Sequence, residues 1–246
     1  MIEEEFTLST DDGFKIYGMI NKKEGNKKAI IICHGLSENM NNHHFQEAKR
    51  FFPEKGYDVI RFDFYSYPED SRKLKDTTVA IHVKDFNKVL EKYRSLYDSI
   101  YAVGDSYGGL TLVVANPSEI DAVSLWDGSY DTSNWEEYLI HVQELDMYVF
   151  KDDPVGALIS KAMYEENLTF RGENMAKIAS EFKAPVQVIS AGGNLDWVIK
   201  TQEDQYKTLG SEKKEYCVID GADHFFSNKS TVFDLLENTY RWFEEN

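Results

Sequence analysis

Cysteine is scarce in this chain: 246 residues contain two, Cys33 and Cys217. Both fall in apolar, strand-like runs with no Cys-x-x-Cys spacing and no histidine cluster beside them. That excludes a disulfide scaffold and leaves two buried free thiols as the expectation. Positive charge is also short, with 27 Lys and Arg against 43 Asp and Glu and a net charge of −16. Such a surface repels nucleic acid phosphates and anionic lipid head groups, so no nucleic acid partner is expected. Most of the excess reads as solvated faces. No long uncharged apolar run occurs, so no membrane span is expected. Met1-Ile2-Glu3-Glu4-Glu5 opens acidic, without the basic start, apolar stretch and small-residue cleavage site of a secretory leader, which makes the cytoplasm the expected compartment. Internal repeats, low-complexity tracts and flexible linkers are lacking too.

What is present suits a large core: 42% hydrophobic and 14% aromatic residues. The length fits a single domain over 1–246. Two alternating runs, "EEFTLST" and "FKIYGMI", flank the turn signal Asp11-Asp12-Gly13 and predict a hairpin. Six further runs, at 29–33, 58–62, 99–103, 121–126, 186–191 and 215–219, are short, β-branched or aromatic and nearly continuous in apolar character. Strands of that kind are covered on both faces. Helical patterns at about 43–56, 77–98, 107–115, 200–209 and 230–245 alternate with them. The fold class is therefore α/β, with a mostly parallel, doubly wound sheet of eight strands and an antiparallel start. One interval, about 127–181, is too long for an ordinary crossover and is rich in aromatic and methionine residues. An interval of that length reads either as a segment with a function or structure of its own or as an ordinary helical excursion packed on the core.

The stretch "SIYAVGDSYGGLTLVVA" joins a buried strand to a buried helix through Gly104-Asp105-Ser106-Tyr107-Gly108-Gly109. A serine hydroxyl is a weak nucleophile at neutral pH and must be both presented and given a base. A tight strand-to-helix turn presents it, and glycines two before and two after make room for the strained backbone. Of six histidines, His224 in "DGADHFF" sits in a loop after the last strand and before the last helix, where a base for Ser106 is expected. His34, His43 and His44 lack the one-turn spacing of a metal pair and no nearby glutamate completes one, so no metal site is expected. His82 and His141 read as helix residues without a catalytic role. The histidine needs a carboxylate on its other nitrogen. Asp196 in "AGGNLDWVI", after the penultimate strand, is preferred; Asp127, directly after "VSLW", is the alternative. For the developing oxyanion, the backbone N–H groups of Tyr107 and of Leu36, in the His34-Gly35-Leu36 loop, are the expected donors.

Taken in order, "IIICHGL", "VGDSYGG", "GGNLDWV" and "GADHFF" resemble the α/β-hydrolase superfamily over nearly the whole chain. The likeness is to small bacterial carboxylesterases, feruloyl or cinnamoyl esterases and the monoglyceride lipase and serine aminopeptidase-like group. The resemblance implies Ser106 as nucleophile, Asp196 as acid, His224 as base, and a cap in the long interval. It implies no cofactor. The chain departs from these relatives after "VIRFDF", where a Gly-x-Gly turn is replaced by Tyr65-Ser66-Tyr67-Pro68-Glu69-Asp70-Ser71.

The expected activity is hydrolysis of a small-molecule ester with an apolar or aromatic portion, through an acyl-enzyme on Ser106. Trp135, Tyr138, Trp197 and Phe225 are candidate substrate contacts. Thioester or amide cleavage and acyl transfer use the same residues. A non-catalytic binding module of this fold is the alternative from another class, although such modules usually lose a triad member. Either a monomer or a homodimer fits.

Overall fold

A computed structural model describes residues 1–128, 130–133, 135–151 and 158–246. The chain opens with the expected hairpin, β1 (Ile2–Ser9) and β2 (Lys15–Lys22). Its turn is closed by the Thr10 hydroxyl and backbone and by Gly13 at φ +93°, a left-handed conformation that glycine adopts without a Cβ penalty. There follow β3 (Lys28–Cys33), α1 (His43–Phe51), β4 (Tyr57–Asp63), α2 (Val79–Arg94), β5 (Ser99–Asp105), α3 (Tyr107–Ala115) and β6 (Val123–Trp126). After the long interval come β10 (Val186–Ala191), α7 (Asp196–Thr208), β11 (Lys214–Ile219) and α8 (Lys229–Glu244).

The main sheet has eight strands in the order β1-β2-β4-β3-β5-β6-β10-β11. β1, β2 and β4 pair antiparallel, and every later neighbour pair is parallel. The central strands β3, β4 and β5 are buried almost throughout because helices cover both faces. Leu110, Leu112 and Val113 of α3 and Phe86, Val89 and Leu90 of α2 fill one side. Phe45 and Ala48 of α1 and Leu235, Trp242 and Phe243 of α8 fill the other. Both helical layers leave the carboxyl ends of the parallel strands free, and those ends carry the site.

The interval 127–181 is where expectation and structure diverge. Its described residues form α4 (Trp135–Tyr138), β7 (Leu139–Val142), β8 (Met147–Phe150), β9 (Leu158–Ser160), α5 (Lys161–Asn167) and α6 (Gly172–Ser180). Positions 129, 134 and 152–157 of the interval lie outside the described residues. Instead of a purely helical insertion there is a small antiparallel sheet, β7-β8-β9. The cause is local. Leu139-Ile140-His141-Val142 and Met147-Tyr148-Val149-Phe150 are β-branched and aromatic, and they flank Gln143-Glu144-Leu145-Asp146, a polar turn with Asp146 at φ +48°. His141 accordingly lies on a strand, not a helix. Among the described residues no helix is long and apolar enough to cross a membrane.

Candidate active site

Ser106 stands between the end of β5 and the start of α3 with φ +48° and ψ −116°, a strained conformation for a residue with a side chain. Its backbone is clamped by Ser106 N–H to Trp126 C=O at 2.9 Å and Gly109 N–H to Ser106 C=O at 3.0 Å. The flanking glycines are required by contact. A Cβ on Gly104 would lie 2.8 Å from the Gly108 carbonyl oxygen, and one on Gly108 would lie 2.2 Å from that of Cys33. The turn holds the hydroxyl half-buried at the sheet edge, with the free N–H groups of α3 beside it.

His224 reaches this hydroxyl: its Nε2 lies 3.1 Å from Ser106 Oγ. On the other side of the ring, Nδ1 lies 2.5 Å from Asp127 Oδ2. The acid beside the histidine is thus Asp127, the residue weighed second from sequence. Asp196, the preferred candidate, is exposed as the first residue of α7, where a carboxylate favours the positive end of the helix. The short Gly192–Leu195 loop carries the chain straight into that helix and away from the ring. Asp127 is nearly fully buried at φ +43°.

Three further donors hold the Asp127 carboxylate: the Ala191 backbone N–H at 2.9 Å, the Asn194 amide at 2.9 and 3.0 Å and the Gln202 amide at 2.9 Å. Burial works against its charge. The bonds to His224, Ala191 and Asn194, with the charge of His224, win and hold the carboxyl below the usual range. For His224, burial disfavours the imidazolium, yet the hydrogen bond and charge of Asp127, with Asp105 farther off, lift its pKa to about 9. Asn194 and Gln202 were missed from sequence. Asn194 lies in the same "GGNLD" motif that was read for its aspartate.

The loop after β3 runs against Ser106, close enough that a Cβ on Gly35 would meet Ser106 Cβ at 3.0 Å. Neither the Leu36 nor the Tyr107 backbone N–H has a hydrogen-bond partner among the described residues. The buried His34 ring fixes the Leu36 donor's own peptide. The Phe64 N–H donates to His34 Nε2 at 3.0 Å, so the proton sits on Nδ1, which donates to Gly35 C=O at 2.7 Å. Burial keeps this imidazole neutral, with a pKa down at about 4.

The divergent loop at 65–71 is closed without glycine. The Lys73 ammonium gathers the carbonyls of Ser66 and Tyr67 at 3.0 and 2.9 Å and that of Pro68 at 2.5 Å, and the Ser71 hydroxyl donates to Ser66 and Pro68.

Of the four candidate substrate contacts, Trp135, Tyr138 and Trp197 line one cavity of about 200 Å³ together with Phe150, Val198 and Gln202. The Gln202 that lines it also binds Asp127. Trp135 lies tilted over Tyr107, next to Ser106, at 5.5 Å and meets Phe150 edge-to-face at 4.9 Å. Phe225 does not line this cavity; its ring lies 5.1 Å from that of His224.

Behind the serine, His44 does meet a glutamate, contrary to the sequence reading. Glu38, His44 and Asp105 present polar atoms within 4.8 Å of one another, all buried. Among the described residues this is the one group compact enough for a cation. His82 is a core residue, stacked at 4.1 Å on Phe64.

No curated protein sequence matches this chain. Solved structures with the same fold do. Est1E of Butyrivibrio proteoclasticus, solved with ferulic acid bound, is 17% identical over 98% of each chain with a TM-score of 0.80. The esterase domain of a Rhodothermus marinus protein is 18% identical over 98% of each chain with a TM-score of 0.75. A dienelactone hydrolase of Anabaena variabilis is 15% identical over 99% of this chain and 98% of its own, with a TM-score of 0.71. A family model for the alpha/beta hydrolase fold matches residues 28–230, from β3 into the last helix. A match of that extent, added to the strand order and the turn at Ser106, makes this chain a member of the alpha/beta hydrolase fold family.

Proposed function

We propose that the protein is a serine hydrolase of carboxylic esters, with Ser106 as nucleophile, His224 as base and Asp127 as the orienting acid. The observation that carries this reading is the unbroken chain from Ser106 Oγ through His224 to Asp127, at 3.1 and 2.5 Å. His224 Nε2 takes the hydroxyl proton as Ser106 attacks the ester carbonyl. The oxyanion is received by the N–H groups of Leu36 and Tyr107, and His34, through the Gly35 carbonyl, holds the first of these in place. His224 then protonates the departing alcohol, and water activated by the same ring releases the acid. Written this way, the reaction draws on no metal or organic cofactor. The cavity lined by Trp135, Tyr138, Phe150 and Trp197 suits an apolar or aromatic portion of the substrate. The ferulic acid in the structure of Est1E agrees with that chemistry.

A fluorophosphonate probe tests the assignment. The protein should take up one equivalent, mapped by mass spectrometry to Ser106, and p-nitrophenyl esters and methyl ferulate should be turned over. Absence of labelling, or a label on another residue, rejects it. Thioesters and aminoacyl naphthylamides in the same panel separate ester from thioester and amide cleavage.

The pH profile should carry the mark of the raised His224 pKa. The base works only when neutral, and with a pKa of about 9 it is mostly protonated at pH 7. The value of kcat/KM should therefore climb by about tenfold per pH unit from pH 7 and level off only near 9. An ester assay corrected for spontaneous hydrolysis measures this, and a plateau already reached at pH 7 contradicts it.

A further inference from the structure

Directly behind the nucleophile lie two carboxylic acids that the reaction does not use. Asp105 immediately precedes Ser106 and is 1% exposed; Glu38, from the loop after β3, is 8% exposed. Glu38 Oε2 accepts the Gly35 N–H at 3.0 Å, and the Glu38 and Asp105 carboxyl groups present oxygens within 4.8 Å of each other. Asp105 Oδ1 is buried and has no hydrogen-bond partner among the described residues. Glu38 is thus bonded to the loop that offers the Leu36 N–H and faces the turn that carries Ser106. Gly35 is the pivot, since a Cβ there would lie 3.0 Å from Ser106 Cβ and 3.1 Å from Glu38 Oε2.

Among the described residues no cation is bonded to the pair. His44, on α1, places Nε2 3.4 Å from Asp105 Oδ2, but neither of its ring nitrogens is hydrogen-bonded, and burial keeps it neutral with a pKa of about 4. Among the described residues no Lys or Arg forms a salt bridge with Glu38 or Asp105. The other titratable groups facing the pair are Tyr65, from the loop after β4, Asp127, after β6, and His224, before α8, while Asp223 faces His44. Two carboxylates this close in a dry site cannot both be ionised.

We propose that Glu38 and Asp105 hold one proton between them, and that the resulting O–H···O bond bolts the oxyanion loop to the nucleophile turn, making Glu38 a positioning residue for the reaction. The catalytic part of this inference rests on the assignment of Ser106; the shared proton does not. Consistent with the geometry, burial and the charge of Asp105 push Glu38 up to about 9, and burial lifts Asp105 to about 6. The proton is released at alkaline pH, and two like charges then push loop and turn apart.

Two substitutions separate the bolt from mere packing. In Glu38→Gln an amide N–H replaces the shared proton toward Asp105, and the amide oxygen still accepts the Gly35 N–H. Glu38→Ala removes both bonds. The first measurement is stability against pH, which needs no activity. The native pair binds a proton that the unfolded glutamate releases above about pH 4.5, so stability falls as pH rises toward 9. Between pH 5 and 8 the unfolding equilibrium constant of the parent should rise by about tenfold per pH unit relative to that of Glu38→Gln. The second measurement is kcat/KM. Glu38→Ala should lose about 10²-fold, and Glu38→Gln should recover most of that loss. The parent's rate should decline above about pH 9, while that of Glu38→Gln holds its plateau.

Parallel stability curves for parent and Glu38→Gln overturn the shared proton. A Glu38→Gln enzyme as slow as Glu38→Ala, or a Glu38→Ala enzyme as fast as the parent, overturns the positioning role. Stoichiometric divalent metal in the purified parent, lost in Glu38→Gln, overturns it in favour of a cation site. Failure of the parent to label at Ser106 would sink the hydrolase reading while leaving the stability result to stand or fall separately.

Discussion

Asp127→Asn should lower kcat/KM by about 10⁴-fold, whereas Asp196→Asn should leave it within about threefold of the parent. The contrast follows from which atom each carboxylate touches. Asp127 accepts from His224 Nδ1 at 2.5 Å and so keeps the unprotonated nitrogen, Nε2, aimed at Ser106. An asparagine there can turn its amide toward the ring. Nδ1 then becomes the acceptor, the proton moves to Nε2, and no base faces the serine. The misfit is reinforced from behind, because the N–H of Ala191 and the amides of Asn194 and Gln202 all point at the carboxylate oxygens and leave an amide group no acceptor. Asp196 is exposed at the head of α7 and touches none of these groups. Thermal melts of both variants distinguish loss of chemistry from loss of fold. A large defect in Asp196→Asn with a mild one in Asp127→Asn would return the acid to the position first expected.

That two aspartates compete for one role has a topological cause. β6 and β10 are neighbours in the sheet, with Trp126 opposite Ile189, so the loops that follow them emerge side by side. A histidine arriving from beyond β11 can meet a carboxylate from either. Linear spacing does not distinguish them. The decision lies in a left-handed residue at Asp127, which turns the chain back under the ring, and in the immediate start of α7 at Asp196.

The same division marks what could be read before any coordinates. The strand and helix alternation, the hairpin and the meeting of Ser106 with His224 are legible because each rests on a local pattern: apolar period, turn residues, a serine between glycines, or a histidine in the loop after the last strand. What was not legible depends on side chains meeting across long sequence distances. Gln202 reaches Asp127 over 75 positions, and nothing in "TQEDQ" sets that glutamine apart from its neighbours. Glu38 and Asp105 come together only because β3 and β5 are adjacent, with Cys33 opposite Gly104. The antiparallel sheet of the long interval is a different kind of miss. Its hairpin signal lies at 139–150, inside an interval whose length points only to an insertion or a helical excursion and whose likeness to relatives implies a cap.

Gly108→Ala should unfold the protein at a temperature lower by about 10 °C and reduce fluorophosphonate labelling of Ser106 by at least about 10²-fold. The added methyl would sit 2.2 Å from the Cys33 carbonyl oxygen, 2.8 Å from its carbon and 2.9 Å from the His34 carbonyl oxygen. These are backbone atoms at the end of β3 and in the loop that follows it, so no side-chain rotation relieves the overlap. Overpacking of this kind costs about 3 kcal/mol, at the upper end of its usual range. The chain can yield only by moving the first turn of α3 away from β3, and that turn carries Ser106 and the Tyr107 N–H. Gly109→Ala is the matched control: its methyl would meet the Gly128 Cα at 3.4 Å, an ordinary contact, and alanine is the better helix former. It should melt within a few degrees of the parent and label at a similar rate. If both substitutions behave alike, close approach of α3 to β3 is not what shapes the nucleophile turn.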